Sequence, residues 1–411
     1  MAGTVVLECG DERGEFAAVL LASLGAEVIK LEGRAGSNSR RFGPFTQPDR
    51  GIEHSLCFSR YNLGKKSVTL EIDQPGARDA LARLAQRADV IIDSGTANDV
   101  ARRLELYREF QQANPRLIVC TITPFGLDGP WRDLTMTNLT QLALGGVMAV
   151  CGYDSRADGV YDTPPIAPEM WQALHIAGEY AVISITAALN FRELTGVGDV
   201  IDLSIHEAVS TCTEVAMPTY IYNGAVVQRQ TGRHAAETRT RPWLRRTKDG
   251  RYVKAFLFWG GRDVRVITEM LDEAGVEHDL ASDAYRELRK TSPSEAQAHF
   301  SAMIDKLVAS LTAEEVFHRA QAKGLLWASV RYPEENIDDP HFQARGTFQP
   351  IHHPELGRDL VYPVSVATDG KDRVTAFTTG APRLGQHTRE VLTQAGLTAA
   401  ELEALAAHHA I

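Results

Sequence analysis

Strand-like and helical segments alternate through the first third of the chain, and this alternation constrains the fold more than any other feature. In chain order the strand-like segments are 4–8, 26–32, 89–93 and 117–122, and the helical segments are 16–24, 75–87 and 100–113. Parallel strands need a crossover connection, usually a helix, and such connections are almost always right-handed. The pattern therefore predicts an α/β fold with a doubly wound, mainly parallel sheet.

The length of the chain indicates more than one domain, because 411 residues exceed what a single hydrophobic core usually holds. A long apolar helix is predicted over 171–194, followed by a strand over 200–204 and a helix over 206–222. After Asn223-Gly224 the chain becomes dense in Arg and Thr. We predict a large domain that begins with residues 1–224, a small domain over 225–335, and a return to the large domain over 336–411.

Composition and charge exclude several classes of protein. A net charge of −10 argues against a nucleic-acid partner, which requires a basic face. We find no run of about 18 apolar residues and no secretory signal, so we expect a cytoplasmic protein without a membrane partner. Five scattered cysteines without CxxC spacing indicate buried thiols rather than disulfides or a metal site.

Several spaced motifs carry a resemblance to a known family. They are Leu24–Glu32, Ser39–Pro44, Asn62–Leu70, 114–122, Asp339–Gly346 and Ala381–Leu392. In this order and spacing they resemble the class III CoA-transferases, a family that also contains α-methylacyl-CoA racemases. The resemblance implies a Rossmann-like large domain built from both chain ends and a smaller inserted α+β domain. It also implies a dimer in which two ring-shaped chains are interlocked.

The resemblance also identifies a missing nucleophile. In that family an aspartate ten positions after a Pro-Pro pair attacks the acyl-CoA, giving a mixed anhydride and then an enzyme-bound aspartyl-CoA thioester. An ungapped count from Pro164-Pro165 places Leu174 at this position. Because nucleophilic catalysis of this kind requires the carboxylate, Leu174 cannot perform it. His175 and Glu169 are weak alternative bases, and the segment 135–139 lacks the histidine of the racemase branch.

The same resemblance points to a CoA site that is partly lost. Residues at family positions that could contact CoA are Arg40, Arg41, Lys65, Lys66, Leu70 and Arg102. Three other positions carry a negative charge that would repel an anion, namely Asp11, Glu12 and Asp73. At two more, Ser94 and Thr96 stand in place of the family's Asn and Arg. We expect CoA thioester as a substrate and no tightly bound cofactor, and these changes put CoA binding by this chain in doubt.

Two functions follow from these observations. In the first, the chain is a non-catalytic, pseudoenzyme subunit of a heteromeric class III CoA-transferase, in a heterodimer or heterotetramer with a homologous aspartate-bearing chain. It then resembles the aspartate-lacking subunit of the benzylsuccinate CoA-transferases of toluene degradation, which move CoA from succinyl-CoA to an aryl-substituted succinate. In the second, it is a homodimeric acyl-CoA enzyme with altered, racemase- or isomerase-like chemistry that uses His175 or Glu169.

Overall fold

The computed structural model divides into two compact units. It describes residues 1–47, 51–257, 260–282, 285, 288–289, 294–353, 357–363, 368–369, 372–373, 377 and 379–411. The first unit comprises Met1–Met148, Ala167–Glu214 and Pro340–Ile411, and the second comprises Ala149–Ile166 and Val215–Asp339. The first unit is therefore built from both ends of the chain, while the predicted domain bounds near 225 and 335 stay a prediction.

A six-stranded parallel sheet forms the centre of the first unit. Its strands are β1 (Val5–Gly10), β2 (Glu27–Glu32), β3 (Lys66–Thr69), β4 (Val90–Ser94), β5 (Ile118–Thr123) and β6 (Val200–Ser204). The strand order is β3-β2-β1-β4-β5-β6, and every neighbouring pair is parallel. This is the doubly wound order in which ligands bind beyond the carboxyl ends of the strands. The predicted α/β fold class is confirmed.

Helices cover both faces of this sheet. They are α1 (Glu15–Ser23), α2 (Leu56–Tyr61), α3 (Ala77–Arg87), α4 (Ala97–Ala113), α5 (Asn138–Leu144), α6 (Gln172–Thr195) and α7 (Ile205–Ser210). Successive residues of a strand point to opposite faces. Accordingly Ile91 packs in a core with Leu81 and Tyr107, whereas Ile92 packs in a second core with Leu21 and Ile185.

The second unit contains a smaller antiparallel sheet. Its elements are α8 (Ala216–Asn223), β7 (Gln228–Gln230), β8 (Arg233–Ala236), β9 (Leu244–Arg246), β10 (Tyr252–Ala255), α9 (Gly261–Glu273), α10 (Ser294–Ser310), α11 (Ala313–Ala322) and β11 (Trp327–Ser329). Strands β11, β10 and β9 form the sheet, and Trp327 lies in a core with residues of α9, α10 and α11.

The C-terminal segment returns to the first unit. Its elements are α12 (Pro340–Ala344), β12 (Phe348–His353), β13 (Arg358–Pro363), β14 (Thr368–Asp369), β15 (Asp372–Arg373), α13 (Thr388–Gln394) and α14 (Ala399–Ala407). Leu392 of α13 and Leu402 of α14 are buried in the same core as Leu81 and Ile91. The chain end therefore completes the first unit.

The helix predicted over 206–222 is two helices, and that prediction was wrong at its centre. Helix α7 ends at Ser210 and α8 begins at Ala216. The hydroxyl of Thr211 donates to Ala208 O at 2.7 Å, and that of Thr213 donates to Ser210 O at 2.7 Å. Such side chains compete with the helical backbone bonds and favour a break.

Helix α6 is long and apolar enough to cross a membrane by length and composition alone, a test that core helices of globular proteins also pass. Ala173, Ala177, Ala181 and Ile185 are buried in the core with α1. Ile183 and other large apolar side chains of α6 are exposed in the single chain. The helix thus has one face in the core and an apolar face without a partner among the described residues.

Candidate active site

Leu174 lies in the first turn of α6, at a helix start that is held by a neighbouring side chain. Asn138 Oδ1 accepts hydrogen bonds from Ala173 N at 2.9 Å and from Leu174 N at 3.4 Å. Trp171 precedes the helix with φ of 70°, a left-handed conformation that is rare outside glycine and often marks a functional site. Its ring stacks on Phe42 with 5.6 Å between centroids. The position of Leu174 is therefore fixed.

A cavity of about 340 Å³ opens beside this residue, and we name it the Leu174 cavity. Its apolar lining includes Phe42, Met136, Leu139, Met170 and Trp171 together with Leu174. Leu174 is 6% exposed. Since its side chain has no nucleophilic atom, Leu174 can pack against a ligand in this cavity but cannot attack one.

His175 lines a small adjoining cavity together with Leu174, and its ring already has partners. Its Nε2 is hydrogen bonded to the Tyr61 hydroxyl at 2.8 Å, and its ring stacks on Phe16 at 4.1 Å. Burial, and then the charge of Arg60, lower the pKa of His175. Burial raises the pKa of Tyr61 to about 12. The imidazole is neutral near pH 7 and held in place, which suits packing better than proton transfer.

The second alternative base, Glu169, is exposed and lines neither this cavity nor the small one next to His175. The carboxyl group that does line both cavities is Glu12, in the loop after β1. Burial, and then the charge of Asp11, raise the pKa of Glu12. From the sequence, Glu12 was expected only to oppose CoA binding through its charge. Its position just beyond the carboxyl end of β1 could have indicated the site.

Two of the residues predicted to contact CoA, Arg40 and Lys65, form ion pairs inside the protein. Arg40 is 0% exposed, and its Nε and Nη2 contact the two oxygens of Glu32 at 2.8 Å each. Its Nη1 contacts Glu53 at 2.8 Å. Lys65 Nζ contacts Glu8 Oε2 at 2.6 Å in the same interior. In this structure the two cations neutralise buried carboxylates of the protein.

The four other predicted contacts differ in their exposure, since Leu70 is buried and Arg41 is exposed. Arg41 is exposed and donates to Ala35 O at 2.6 Å, and Lys66 Nζ lies 2.9 Å from Glu27 and 2.9 Å from Glu390. Leu70 and Arg102 line a second cavity of about 620 Å³ that lies beyond the carboxyl ends of β1, β2 and β3. Of the six predicted CoA contacts, the structure therefore brings only Leu70 and Arg102 together around one open cavity.

This larger cavity carries more acidic than basic groups. Its carboxylates are Asp11, Glu32, Glu71, Asp73, Glu105 and Glu109, and its guanidinium groups are Arg78, Arg102 and Arg103. Arg103 is paired with Asp93 at 2.8 Å, and Arg78 contacts Glu109. A polyphosphate needs an excess of cations or backbone donors. The acidic excess of this cavity therefore disfavours the binding of a polyphosphate.

Glu32 makes stability depend on pH. Burial alone raises its pKa, but hydrogen bonds and charges from Arg40 and Lys30 outweigh this and lower it to about 2. Because the folded-state pKa is depressed, the stabilisation is complete above the unfolded pKa of about 4.5 and is lost as pH falls towards 2. We expect the ionised Glu32 to contribute about 3 kcal/mol to the free energy of unfolding at neutral pH.

Urea unfolding of the parent chain and Glu32→Gln at several pH values tests this expectation. The stability difference between the two proteins should be largest above pH 5 and should shrink as pH falls below 4. A difference that stays constant with pH would contradict it.

Comparison with known proteins identifies the family. CoA-transferase family III matches residues 1–388. The chain is 27% identical over 403 residues to succinyl-CoA:(R)-benzylsuccinate CoA-transferase subunit BbsE of Thauera aromatica, covering 97% of this chain and 95% of that protein. It is 28% identical over 380 residues to the succinyl-CoA–L-malate CoA-transferase beta subunit of Chloroflexus aurantiacus, covering 92% and 89%.

A solved structure shows the same fold. A CAIB/BAIF family protein from Brucella suis superposes with a TM-score of 0.79 at 22% identity, covering 96% of this chain and 98% of that one. The family and the relatives support CoA-transferase activity. The match over nearly the whole sequence confirms the resemblance carried by the motifs, and the chain belongs to CoA-transferase family III.

Proposed function

We propose that this chain is the non-catalytic subunit of a heteromeric, cytoplasmic class III CoA-transferase. A homologous partner chain carries the nucleophilic aspartate, and the complex moves CoA from an acyl-CoA such as succinyl-CoA to a carboxylic acid such as an aryl-substituted succinate. The substrates rest on the similarity to BbsE. The interlocking of the two chains rests on the family resemblance.

The observation that carries this proposal is Leu174, the residue to which the count from Pro164-Pro165 assigns the family's aspartate, in the first turn of α6 and beside a cavity. The nearby carboxyl groups do not replace it. Glu12 lies in the loop after β1 rather than on α6, and burial, then the charge of Asp11, raise its pKa. Glu15 is buried between Lys30 Nζ at 3.0 Å and the Ser39 hydroxyl at 2.5 Å. Both contacts are made by its Oε1, and the residue is 2% exposed.

The acidic lining of the larger cavity supports the same conclusion. Carboxylates there outnumber guanidinium groups by six to three. When the ion pairs of both kinds are set aside, Glu71, Asp73 and Glu105 remain against Arg102, so the excess stays acidic. Like charges beside a polyphosphate weaken its binding. A chain that neither attacks a thioester nor attracts CoA contributes to transfer chiefly by supporting a partner.

Exposed apolar side chains supply a surface for that partner. On α8 these are Met217, Tyr220, Ile221 and Tyr222, and no residue of this helix is buried. On α6 they include Ile183, Phe191 and Leu194. Several exposed apolar side chains on one helix are typical of a helix that a partner covers. Two of the relatives are named as subunits of larger enzymes, BbsE and the malate CoA-transferase beta subunit.

Expression alone and together with an aspartate-bearing homologue tests the proposal. We expect CoA transfer from succinyl-CoA only with the partner present. Incubation with acyl-CoA, followed by hydroxylamine and mass spectrometry, should label the partner's aspartate and no residue of this chain. Transfer by this chain alone, or a label on Glu12, would overturn the proposal.

Restoring a carboxylate at the family position should not restore activity. Leu174→Asp would place a second carboxyl in the cavity that Glu12 already lines, which disfavours its ionised, nucleophilic form. We expect the isolated variant to transfer CoA no faster than the parent chain in a succinyl-CoA assay, with Leu174→Asn as the uncharged control. A rate above background in the aspartate variant alone would mean that the loss of the nucleophile is the only defect.

A further inference from the structure

Most of the described residues that line the Leu174 cavity are apolar, namely Ile205 and the six named above. Leu174 and Ile205 are almost fully buried and lie on the protein side of the cavity. Leu139 is 54% exposed and Met170 is 64% exposed, so they lie at its mouth. Apolar side chains therefore line the cavity from the interior of the unit to its surface.

The neutral polar residues of this lining direct polar groups towards the protein. Asn138 Oδ1 accepts hydrogen bonds from the first turn of α6, as described above. The Thr137 hydroxyl accepts from Thr140 N at 3.3 Å. Gln141 is 2% exposed, and its Nε2 donates to Pro124 O at 2.9 Å. These three residues offer a ligand few hydrogen bonds, so contacts in the cavity are mainly apolar.

The charged residues of the lining provide no counter-charge for an acidic ligand. Arg13 contacts Asp11, which neutralises its charge. Glu12 has its Oε2 buried, and burial, then the charge of Asp11, raise the pKa of its carboxyl group. A carboxylate that entered the cavity would lose its water without meeting a free cation among the described residues of the lining, which is costly. The cavity therefore favours a ligand without charge.

Flat and polarizable side chains favour an aromatic ring among uncharged ligands. The rings of Phe42 and Trp171 are stacked, with 5.6 Å between centroids and 26° between planes. Trp171 has a left-handed backbone, which costs about 1–3 kcal/mol and is common where a ligand is clamped. Met136 and Met170 line the same cavity, and thioethers make favourable contacts with aromatic rings. An apolar cavity of about 150 Å³ already holds benzene, so about 340 Å³ holds two fused rings.

We propose that the Leu174 cavity binds an uncharged aromatic group of one or two rings through apolar and stacking contacts. The group belongs either to a free aromatic compound or to the ring end of an aryl-substituted acid whose carboxylates stay outside the cavity. Binding forms no covalent bond and requires no CoA. The proposal therefore does not depend on whether the chain is catalytic.

Three probes of similar size test the choice of ligand. They are 2-naphthalenemethanol, its fully saturated analogue decahydro-2-naphthalenemethanol, and 2-naphthoate, each titrated into the full chain by calorimetry. We expect the aromatic alcohol to bind at least about threefold more tightly than the saturated one, because aromatic contacts add to the effect of buried area. It should bind at least about tenfold more tightly than naphthoate, which finds no counter-charge. Equal binding of the two alcohols, preference for naphthoate, or no binding up to the solubility limit would overturn the proposal.

A positive charge at the mouth of the cavity tests the assignment of the site. Leu139→Arg places a guanidinium on an exposed lining residue, so naphthoate should then bind at least as tightly as 2-naphthalenemethanol. Leu134→Arg makes the same change at a residue that is 51% exposed and outside the lining, and it should keep the preference of the parent chain. If both variants keep that preference, the assignment is overturned. Met170→Arg repeats the test at the other exposed lining residue should Leu139→Arg fail to fold.

Competition with benzylsuccinate identifies the source of the ring. Displacement of 2-naphthalenemethanol would assign the site to the ring end of an aryl-substituted acid, and the absence of displacement would assign it to a free aromatic compound. Either result supports an aromatic occupant. CoA transfer by the chain alone would overturn the proposed function and leave the preference for the aromatic alcohol standing.

Discussion

Replacing Arg40 with methionine is expected to lower the free energy of unfolding by about 3–5 kcal/mol, the largest effect on stability that we predict for a single substitution. The guanidinium is 0% exposed, holds both oxygens of Glu32 and one of Glu53, and donates to Pro382 O at 3.1 Å. It also lies over the Phe58 ring at 3.8 Å. Methionine fills part of the space but leaves the carboxylate of Glu32 buried without its main counter-charge.

Arg41 provides the matched control, since it is the next residue and was predicted as a CoA contact on the same grounds. Its side chain is exposed, and among the described residues it donates only to the carbonyl oxygens of Ser37 and Ala35. Arg41→Met should change stability by about 0.5 kcal/mol or less. Urea unfolding, monitored by circular dichroism, measures the free energy of unfolding of both variants. If Arg40→Met left stability unchanged but weakened CoA binding to the complex, the role of Arg40 would be in ligand binding, as the sequence suggested.

The doubly wound sheet was predictable because five of its six strands have a strong local signal, and only the short edge strand β3 (Lys66–Thr69) was not among the predicted segments. Residues 89–93 and 117–122 are short runs of β-branched and apolar residues next to amphipathic helices, and they form β4 and β5. The small domain has no such regular alternation. Its sheet joins β9, β10 and β11, and the last of these lies some 70 residues after β10. Pairings between such distant segments depend on tertiary packing, which local patterns do not encode.

The site was only partly predictable, for a similar reason. The count from Pro164-Pro165 located Leu174, which the structure places on a cavity. It could not show that Arg40 and Lys65 turn inward, because a basic residue in a family motif looks the same in sequence whether it meets a ligand or a buried Glu32 or Glu8. Nor could it bring Glu12 to the cavity that Leu174 lines, since that proximity arises from the packing of α1 against α6.

Ile221→Glu is expected to reduce CoA transfer by the heteromeric complex about 100-fold at limiting concentration, which corresponds to about 2.7 kcal/mol of association free energy. This expectation rests on the proposed function. Ile221 is 66% exposed on α8, a helix without any buried residue, so the substitution should not affect folding of the chain. If the partner covers this helix, the new carboxylate is buried in the interface without a counter-charge, and central interface positions commonly cost 2 kcal/mol or more.

Leu326→Glu makes the same chemical change at another exposed apolar residue of the second unit, which is 59% exposed and lies outside α8. Co-purification of the two chains, with their mass measured by light scattering, separates the outcomes. With Ile221→Glu the partner should be lost from the complex while this chain stays folded, and with Leu326→Glu the complex should persist with full activity. Retention of partner and activity in the Ile221 variant would show that α8 is not the surface on which assembly depends. The exposed side chains Ile183, Phe191 and Leu194 of α6 would then have to provide it, and a charge at Ile183 would test that directly.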